Sequence, residues 1–186
     1  MLNRFYDKYI FTNTLKYTHN NFSLVNIPFL MVPLDILSTL VSTQDLEKHK
    51  EIYSSFKEST KDNFMPKFKE LGIEESKRLE FVKAFFIASG WGFIQIINLE
   101  KETKKAIVTV DNSPFASSLQ GKSKIAVDSI IRGVLSGLFS NLFEDDVDCV
   151  EVECVALGSK NCKFIIKPKS EFDLEKEIVR EQLIFD

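Results

Sequence analysis

The sequence predicts an α+β domain: an antiparallel sheet of about four strands packed against helices, preceded by a mainly helical N-terminal segment. Three observations carry this. Apolar residues recur at spacings of three and four over much of residues 33–89. The pattern then changes to short apolar and β-branched runs over 93–110 and again over 147–167, each time as two runs parted by a turn. A helical stretch containing glycine and serine separates the two pairs.

Residues 1–32 mix aromatics with Asn and Thr and show no clean period. Pro33 opens a short helical stripe of Leu34, Leu37, Leu40 and Val41, since proline is tolerated in a first turn. Residues 45–70 read as a charged helix with Leu46, Ile52, Phe56, Phe64 and Phe68 as its apolar face and a break at Pro66. Its charged run, Lys48 to Lys69, reads as a solvent-exposed face. A further helix over Glu74–Ser89 turns Leu79, Val82, Phe85 and Phe86 inward. Gly90-Trp91-Gly92 ends it.

Phe93–Asn98 and Ala106–Val110 form a hairpin about a charged turn, closed by Asn112-Ser113-Pro114. A helix is expected from about Ser123 to Phe143. Val147–Ala156 and Cys162–Lys167 form a second hairpin about Gly158-Ser159-Lys160-Asn161. Residues 171–184 read as a charged terminal helix with Leu174, Ile178 and Leu183 on one face.

Composition narrows the function. With 186 residues the chain suits one domain with added segments. Its 17 phenylalanines against one tryptophan give a large apolar interior with few polar handles. The net charge is −3, with Lys and Glu interspersed and no basic stripe, so nucleic-acid binding has no electrostatic support. Met1–Lys8 lacks the apolar core of a secretory leader, and the apolar run 27–34 holds two prolines and is far short of a membrane span. A cytoplasmic location is expected. Cys149, Cys154 and Cys162 are an odd set crowded into fourteen positions, which is a poor disulfide framework and suits a reducing compartment.

Cys154 and Cys162 flank the second turn. On paired strands both thiols can share a face, and two thiolates brought together suit zinc. Glu151 lies three positions upstream but differs from Cys154 in strand parity, so it joins them only through a β-bulge. Cys149 as a third ligand needs the same bulge. The alternative is that the cysteines are small core hydrophobes. The 123–143 helix carries Ser129, Gly133, Ser136, Gly137 and Ser140. Two glycines inside a helix cost roughly 1 kcal/mol each, which a closely packed partner or a ligand wall would offset. Asp128 near its start suits the helix N-terminus or an i,i+4 pair with Arg132. His19 and His49, the only histidines, read as solvated or core residues. Gly121-Lys122-Ser123 is not a phosphate loop, because Ala116 stands where the motif needs its first glycine.

The run Asp128–Ser140, then Val150–Cys154, Gly158, Cys162 and Phe164, resembles the 4-vinyl-reductase (hydrocarbon-binding) domain family. That family is related to the sensor domains of phenol- and xylene-responsive activators of the NtrC type. Gly90-Trp91-Gly92 and Asn112-Ser113-Pro114 fit as well, and the match covers about residues 81–168. The resemblance implies a zinc site of Cys154, Cys162, Glu151 and, in place of a sensor cysteine, Asp128. It also implies a ligand cavity between sheet and helices, with Phe85, Phe86, Trp91, Phe93, Ile107, Val134 and Phe164 as candidate walls. The sensors hold a phenol hydroxyl with a Trp and a His. Ile107 falls at that Trp and no His matches, so a more apolar ligand is expected.

The implied organisation is a segment over 1–72 with a dimerisation role, a ligand-binding domain over 73–170 and a terminal helix over 171–186. The implied function is a homodimeric sensory or regulatory domain that binds a small apolar molecule beside a structural zinc. Two other readings are an enzyme, or an accessory to one, reducing a tetrapyrrole vinyl group, and a ligand-free scaffold. Against the enzyme, no GxGxxG motif for a nicotinamide or flavin is present.

Overall fold

The computed structural model describes residues 15–24 and 27–184. The leader reading of Met1–Lys8 lies outside them. The described chain opens with a small antiparallel sheet of β1 (Leu15–Thr18), β2 (Asn21–Leu24) and β3 (Ile27–Phe29). His19 and Asn20 both have positive φ, as the tight two-residue hairpin between β1 and β2 requires. This sheet stands in the stretch where the sequence shows no period.

Helices follow. α1 (Leu34–Val41) buries Val41 but leaves Ile36 and Leu40 exposed. α2 (Leu46–Glu70) starts at Asp45, whose side chain accepts from the backbone N–H groups of Glu47 and Lys48. It passes through Pro66 without ending, which corrects the expected break. Pro66 is exposed, and Phe64 and Phe68 on either side pack into the core and hold the last turns. α3 (Glu75–Ala88) buries Phe81, Val82, Ala84 and Phe86.

The main sheet has the order β4-β5-β7-β6, all antiparallel: β4 Phe93–Glu100, β5 Lys105–Asp111, β6 Asp148–Glu153 and β7 Cys162–Lys167. Between β5 and β6 lie α4 (Pro114–Ser118) and α5 (Ser129–Phe143), and α6 (Glu177–Leu183) closes the described chain. α5 begins six residues later than the sequence suggests. Residues 123–125 are held instead by tertiary bonds: the Lys124 N–H donates to Gln44 Oε1, and Ser123 bonds Gln44 and Ile125. α6 is also shorter than expected. It buries Val179, Gln182 and Leu183, while Leu174 lies outside it and exposed.

The glycines of α5 answer a close helix neighbour. A Cβ on Gly133 would lie 2.6 Å from the Tyr53 carbonyl oxygen, and one on Gly137 2.6 Å from that of Lys57. α2 and α5 therefore touch backbone to backbone. The buried face of α2 is correspondingly polar, with His49, Tyr53, Lys57 and Thr60 among its residues. That corrects the expectation that Lys48 to Lys69 is wholly a solvated face.

Lys57 is 7 % exposed and donates to Asp148 Oδ1 at 2.9 Å and Asp146 Oδ2 at 3.0 Å. Tyr53 OH donates to Asp148 Oδ1 at 2.6 Å. Arg132 is buried with its guanidinium 4.4 Å from the centre of the Tyr53 ring, and it donates to the carbonyls of Cys149 and Gln182. The Arg132 side chain is thus directed to β6, α6 and the Tyr53 ring, and it does not bear out the suggested pair with Asp128.

This packing predicts the effect of Gly137→Ala. In an open helix the change would gain about 1 kcal/mol from propensity. Against the Lys57 carbonyl it should instead cost about 3 kcal/mol through overpacking. Urea unfolding measures the difference, and a neutral or stabilised variant would show that the two backbones do not meet.

Candidate metal centre

Glu151 on β6, Cys154 just beyond that strand and Cys162 at the start of β7 each bring a ligand atom within 4.8 Å of the other two. All three residues are buried. The parity problem is solved as the chemistry requires. Glu151 pairs with Phe164 and Glu153 with Lys163, so Val152 is the extra residue of a bulge. A short 3-10 turn, Val155–Leu157, then carries the chain toward β7, ending at Gly158, whose φ of 95° a residue with a side chain rarely adopts. The Val155 N–H donates to Cys162 Sγ at 3.4 Å.

Asp128 is the residue immediately before α5, and its side chain makes no cap bond to its own helix. It turns toward the hairpin. Ser113 donates its hydroxyl proton to Asp128 Oδ1 at 2.7 Å, and the Asp128 N–H donates to Glu151 Oε2 at 3.1 Å. The Asp128 carboxyl faces the Cys162 thiol, although the mutual 4.8 Å cluster comprises the other three residues only. Each carboxylate is left with one buried oxygen that makes no hydrogen bond: Asp128 Oδ2 and Glu151 Oε1. An unsatisfied buried acceptor costs about 1–3 kcal/mol.

The electrostatics follow from burial of four acids together. Burial pushes Asp128 up to about 7, offset in part by the facing Cys162 thiol. Burial, and then the charges of Asp128 and Cys154, push Glu151 well above the carboxylate range. Interaction with the Cys162 thiol draws Cys154 down to about 6, and the same interaction drives Cys162 strongly up. The cluster thus holds protons where a divalent cation would otherwise balance it. Two sulfurs and the Glu151 carboxylate, with the Asp128 carboxyl beside them, are donor types that suit zinc.

The remaining candidates lie elsewhere. Cys149 is buried outside the cluster, and burial raises its thiol. His49 folds over toward α5, where its Nδ1 contacts Ser129 Oγ at 3.1 Å and its Nε2 the Thr43 carbonyl at 3.0 Å, so it is a satisfied core histidine. His19 is exposed in the β1–β2 turn. Ser113 escaped the sequence reading. Its signals were its place before Pro114, as the cap residue of α4, and the fit of Asn112-Ser113-Pro114 to the family resemblance, neither of which assigned it a contact with Asp128.

A second feature lies between α2, α3 and α5: a cavity of about 20 Å³ lined by Phe68, Arg78, Leu79, Val82, Leu138 and Phe139, among others. The seven candidate wall residues are not among its lining. Phe85 stacks on Phe81, Phe86 packs on Trp91, and Trp91 meets the edge of Phe115. Val134 and Phe164 are buried, Ile107 is half-buried, and Phe93 is 47 % exposed.

Residues 106–168 match the family model of the V4R domain. No curated protein matches the chain in sequence. Among solved structures, the phenol-responsive sensory domain of the transcription activator PoxR, with phenol, aligns over 94 % of each chain at 14 % identity and a TM-score of 0.73. A trafficking protein particle complex subunit 3 from Naegleria fowleri, covalently bound to palmitic acid, covers 71 % of this chain and 87 % of its own at 14 % identity and a TM-score of 0.53. A vinyl-4-reductase family protein from Methanocaldococcus jannaschii covers 75 % and 96 % at 17 % identity and a TM-score of 0.46. At these identities the first two similarities are similarities of fold. The matched stretch runs from β5 to just past the end of β7, about a third of the chain.

Proposed function

We propose that this chain is a small-molecule-binding regulatory domain. In this reading, Glu151, Cys154, Cys162 and Asp128 hold a structural zinc that ties the start of α5 to the β6–β7 hairpin. A small apolar ligand enters between α2, α3 and α5. The observation that carries the reading is that one helix serves both places. Asp128 precedes the first turn of α5, and Leu138, Phe139 and Leu142 of the same helix line the cavity. The two ends are about 15 Å apart along the axis.

The cavity has room for about one water, so an organic ligand needs the walls to yield. Of the lining side chains, the unbranched Met65 is the one that yields at least cost. α5 is pinned by its backbone contact with α2, whereas α3 is bounded by Gly72 and Gly90, both at positive φ with open space around them. Ligand entry would therefore displace α3 more readily than α5. The small volume also favours a second reading, a scaffold that keeps the fold without a ligand.

Exposed Leu30, Met31, Ile36 and Leu40 support a homodimer formed through the N-terminal segment. The three free thiols suit the cytoplasm. Among the described residues no helix is long and apolar enough to cross a membrane.

Zinc and ligand are tested on the purified full chain. Metal analysis should give one zinc per chain, lost in C154S and C162S, and mass spectrometry of a solvent extract should show a co-purifying apolar compound. A metal-free preparation with freely reacting thiols would end the zinc reading. An extract without any such compound, together with no binding of added apolar molecules, would leave the scaffold.

Asp128→Asn separates the two costs at the cluster. Because burial raises the folded-state pKa of Asp128, the metal-free protein loses stability as pH rises from the ordinary value of 3.8 to about 7. D128N should remove that loss, so at pH 7.5 the chelated variant melts higher than the chelated parent, and the two converge near pH 4. The same change removes a ligand and should weaken zinc binding at least about tenfold. A variant that melts lower without metal, or holds zinc as tightly as the parent, would contradict this assignment. Zinc should also leave the parent as pH falls below about 6, where protons compete for Cys154 and Asp128.

A further inference from the structure

Arg78 is the one charged residue among those lining the α2–α3–α5 cavity, and Asn141 is the only other polar one. The Asn141 amide already donates to the Lys61 carbonyl at 3.0 Å. Arg78 Nε, by contrast, is buried and makes no hydrogen bond. The guanidinium carbon lies 5.7 Å from the centre of the Phe68 ring, which gives it a face to lie against but no acceptor. Among the described residues no carboxylate is within ion-pair distance of Arg78; the neighbouring acid Glu80 pairs with Lys77 instead. The side chain as a whole is half-buried, and its stem can lie along the apolar lining residues.

A guanidinium offers a planar fork of N–H donors that matches a carboxylate in two parallel bonds. A neutral hydroxyl satisfies only one of them. In an otherwise apolar pocket, the few convergent polar groups fix which end of a ligand sits where. We propose that the ligand of this cavity is a carboxylic acid with an apolar body, aliphatic or aromatic, whose carboxylate pairs with Arg78 while the body displaces Met65 and Phe68. This rests on the reading of the chain as a small-molecule-binding domain and adds the chemical class of the ligand.

The test is isothermal titration of the purified full chain at pH 7.5 with matched pairs: octanoate against 1-octanol, and benzoate against benzyl alcohol. The acid of at least one pair should bind roughly tenfold or more tightly than its alcohol, as expected for a charge-assisted bond replacing a neutral one. Arg78→Met should abolish that gap and leave the alcohol affinity in place. Arg78→Lys should restore part of it, since the charge returns without the fork. Equal affinities for acid and alcohol in the parent, or a gap that survives in R78M, would overturn the acid assignment and leave apolar binding standing. If neither acids nor alcohols bind the parent, the ligand-binding reading itself falls, and this inference with it. The parent comparison decides the matter even if R78M fails to fold.

Discussion

The architecture depends on the direct backbone contact between α2 and α5. Gly133 and Gly137 permit it, because any Cβ there would sit inside the carbonyls of Tyr53 and Lys57. Once the helices meet this closely, the groups flanking the seam have to be satisfied by side chains of the two helices and of the adjacent strand. Tyr53 and Lys57 do so by reaching Asp148 at the start of β6, and Ser136 donates to the Val147 carbonyl. Helix pair and sheet are thereby joined through polar bonds rather than apolar contact alone. Burying Lys57 and Asp148 costs desolvation that their mutual attraction only partly returns. What the arrangement secures is position. α5 cannot slide along α2 without a steric clash, and β6 cannot move without breaking the bonds at Asp148.

Position matters because the acidic cluster is costly by itself. Two carboxylates and two thiols are gathered out of water, and two of the carboxylate oxygens have no donor. At about 1–3 kcal/mol for each unsatisfied oxygen, this is a substantial part of the 5–15 kcal/mol that a domain of this size has in total. A fold that only needed to close a hairpin would place apolar residues there. A cation would reverse the sign of every one of these terms at once, since the same oxygens and sulfurs become ligands and their protons leave. Ser113 and the Asp128 N–H each fix one oxygen of a carboxylate and leave the other free. That is the orientation outer partners of metal ligands impose.

Much of this was legible in the residues, and the parts that were not share a cause. The two hairpins are local, with their periods and turn residues written consecutively, and they stand where the pattern placed them, except that the strand expected to reach Ala156 ends at Glu153 and gives way to a 3-10 turn over Val155–Leu157. The bulge at Val152 was legible only through chemistry: parity alone put Glu151 on the wrong face, and the demand that it join Cys154 required an extra residue. The errors arose where a tertiary partner decides. Residues 123–128 carry no helix breaker, yet they are irregular because Gln44 and Ser123 bind their backbone. Lys57 reads as a solvated helix charge until Asp148 is brought beside it from 91 positions away. The β1–β3 sheet is built of strands of only three or four residues, too short for a period to show. The glycines of α5 signalled close approach correctly, but nothing in their spacing said that the partner was a helix.

The phenylalanine content can now be read in terms of where the rings lie. Phe64, Phe68, Phe81 and Phe85 form a chain of ring contacts across α2 and α3, with centroids 5.7 to 6.2 Å apart. Ring stacks of this kind hold two helices together through faces and edges that can slide and re-pair at modest cost. The seam between α2 and α5 has no such freedom, because backbone meets backbone there. The cavity lies where the two kinds of contact adjoin, with the locked α2–α5 pair on one side and the ring contacts to α3 on the other. An occupant larger than a water must displace rings, and the α2–α3 contact is the one composed of rings. A metal clamp at the start of α5 would stiffen the wall that already resists, and the response to an occupant would then be concentrated in α3, the helix that carries Arg78.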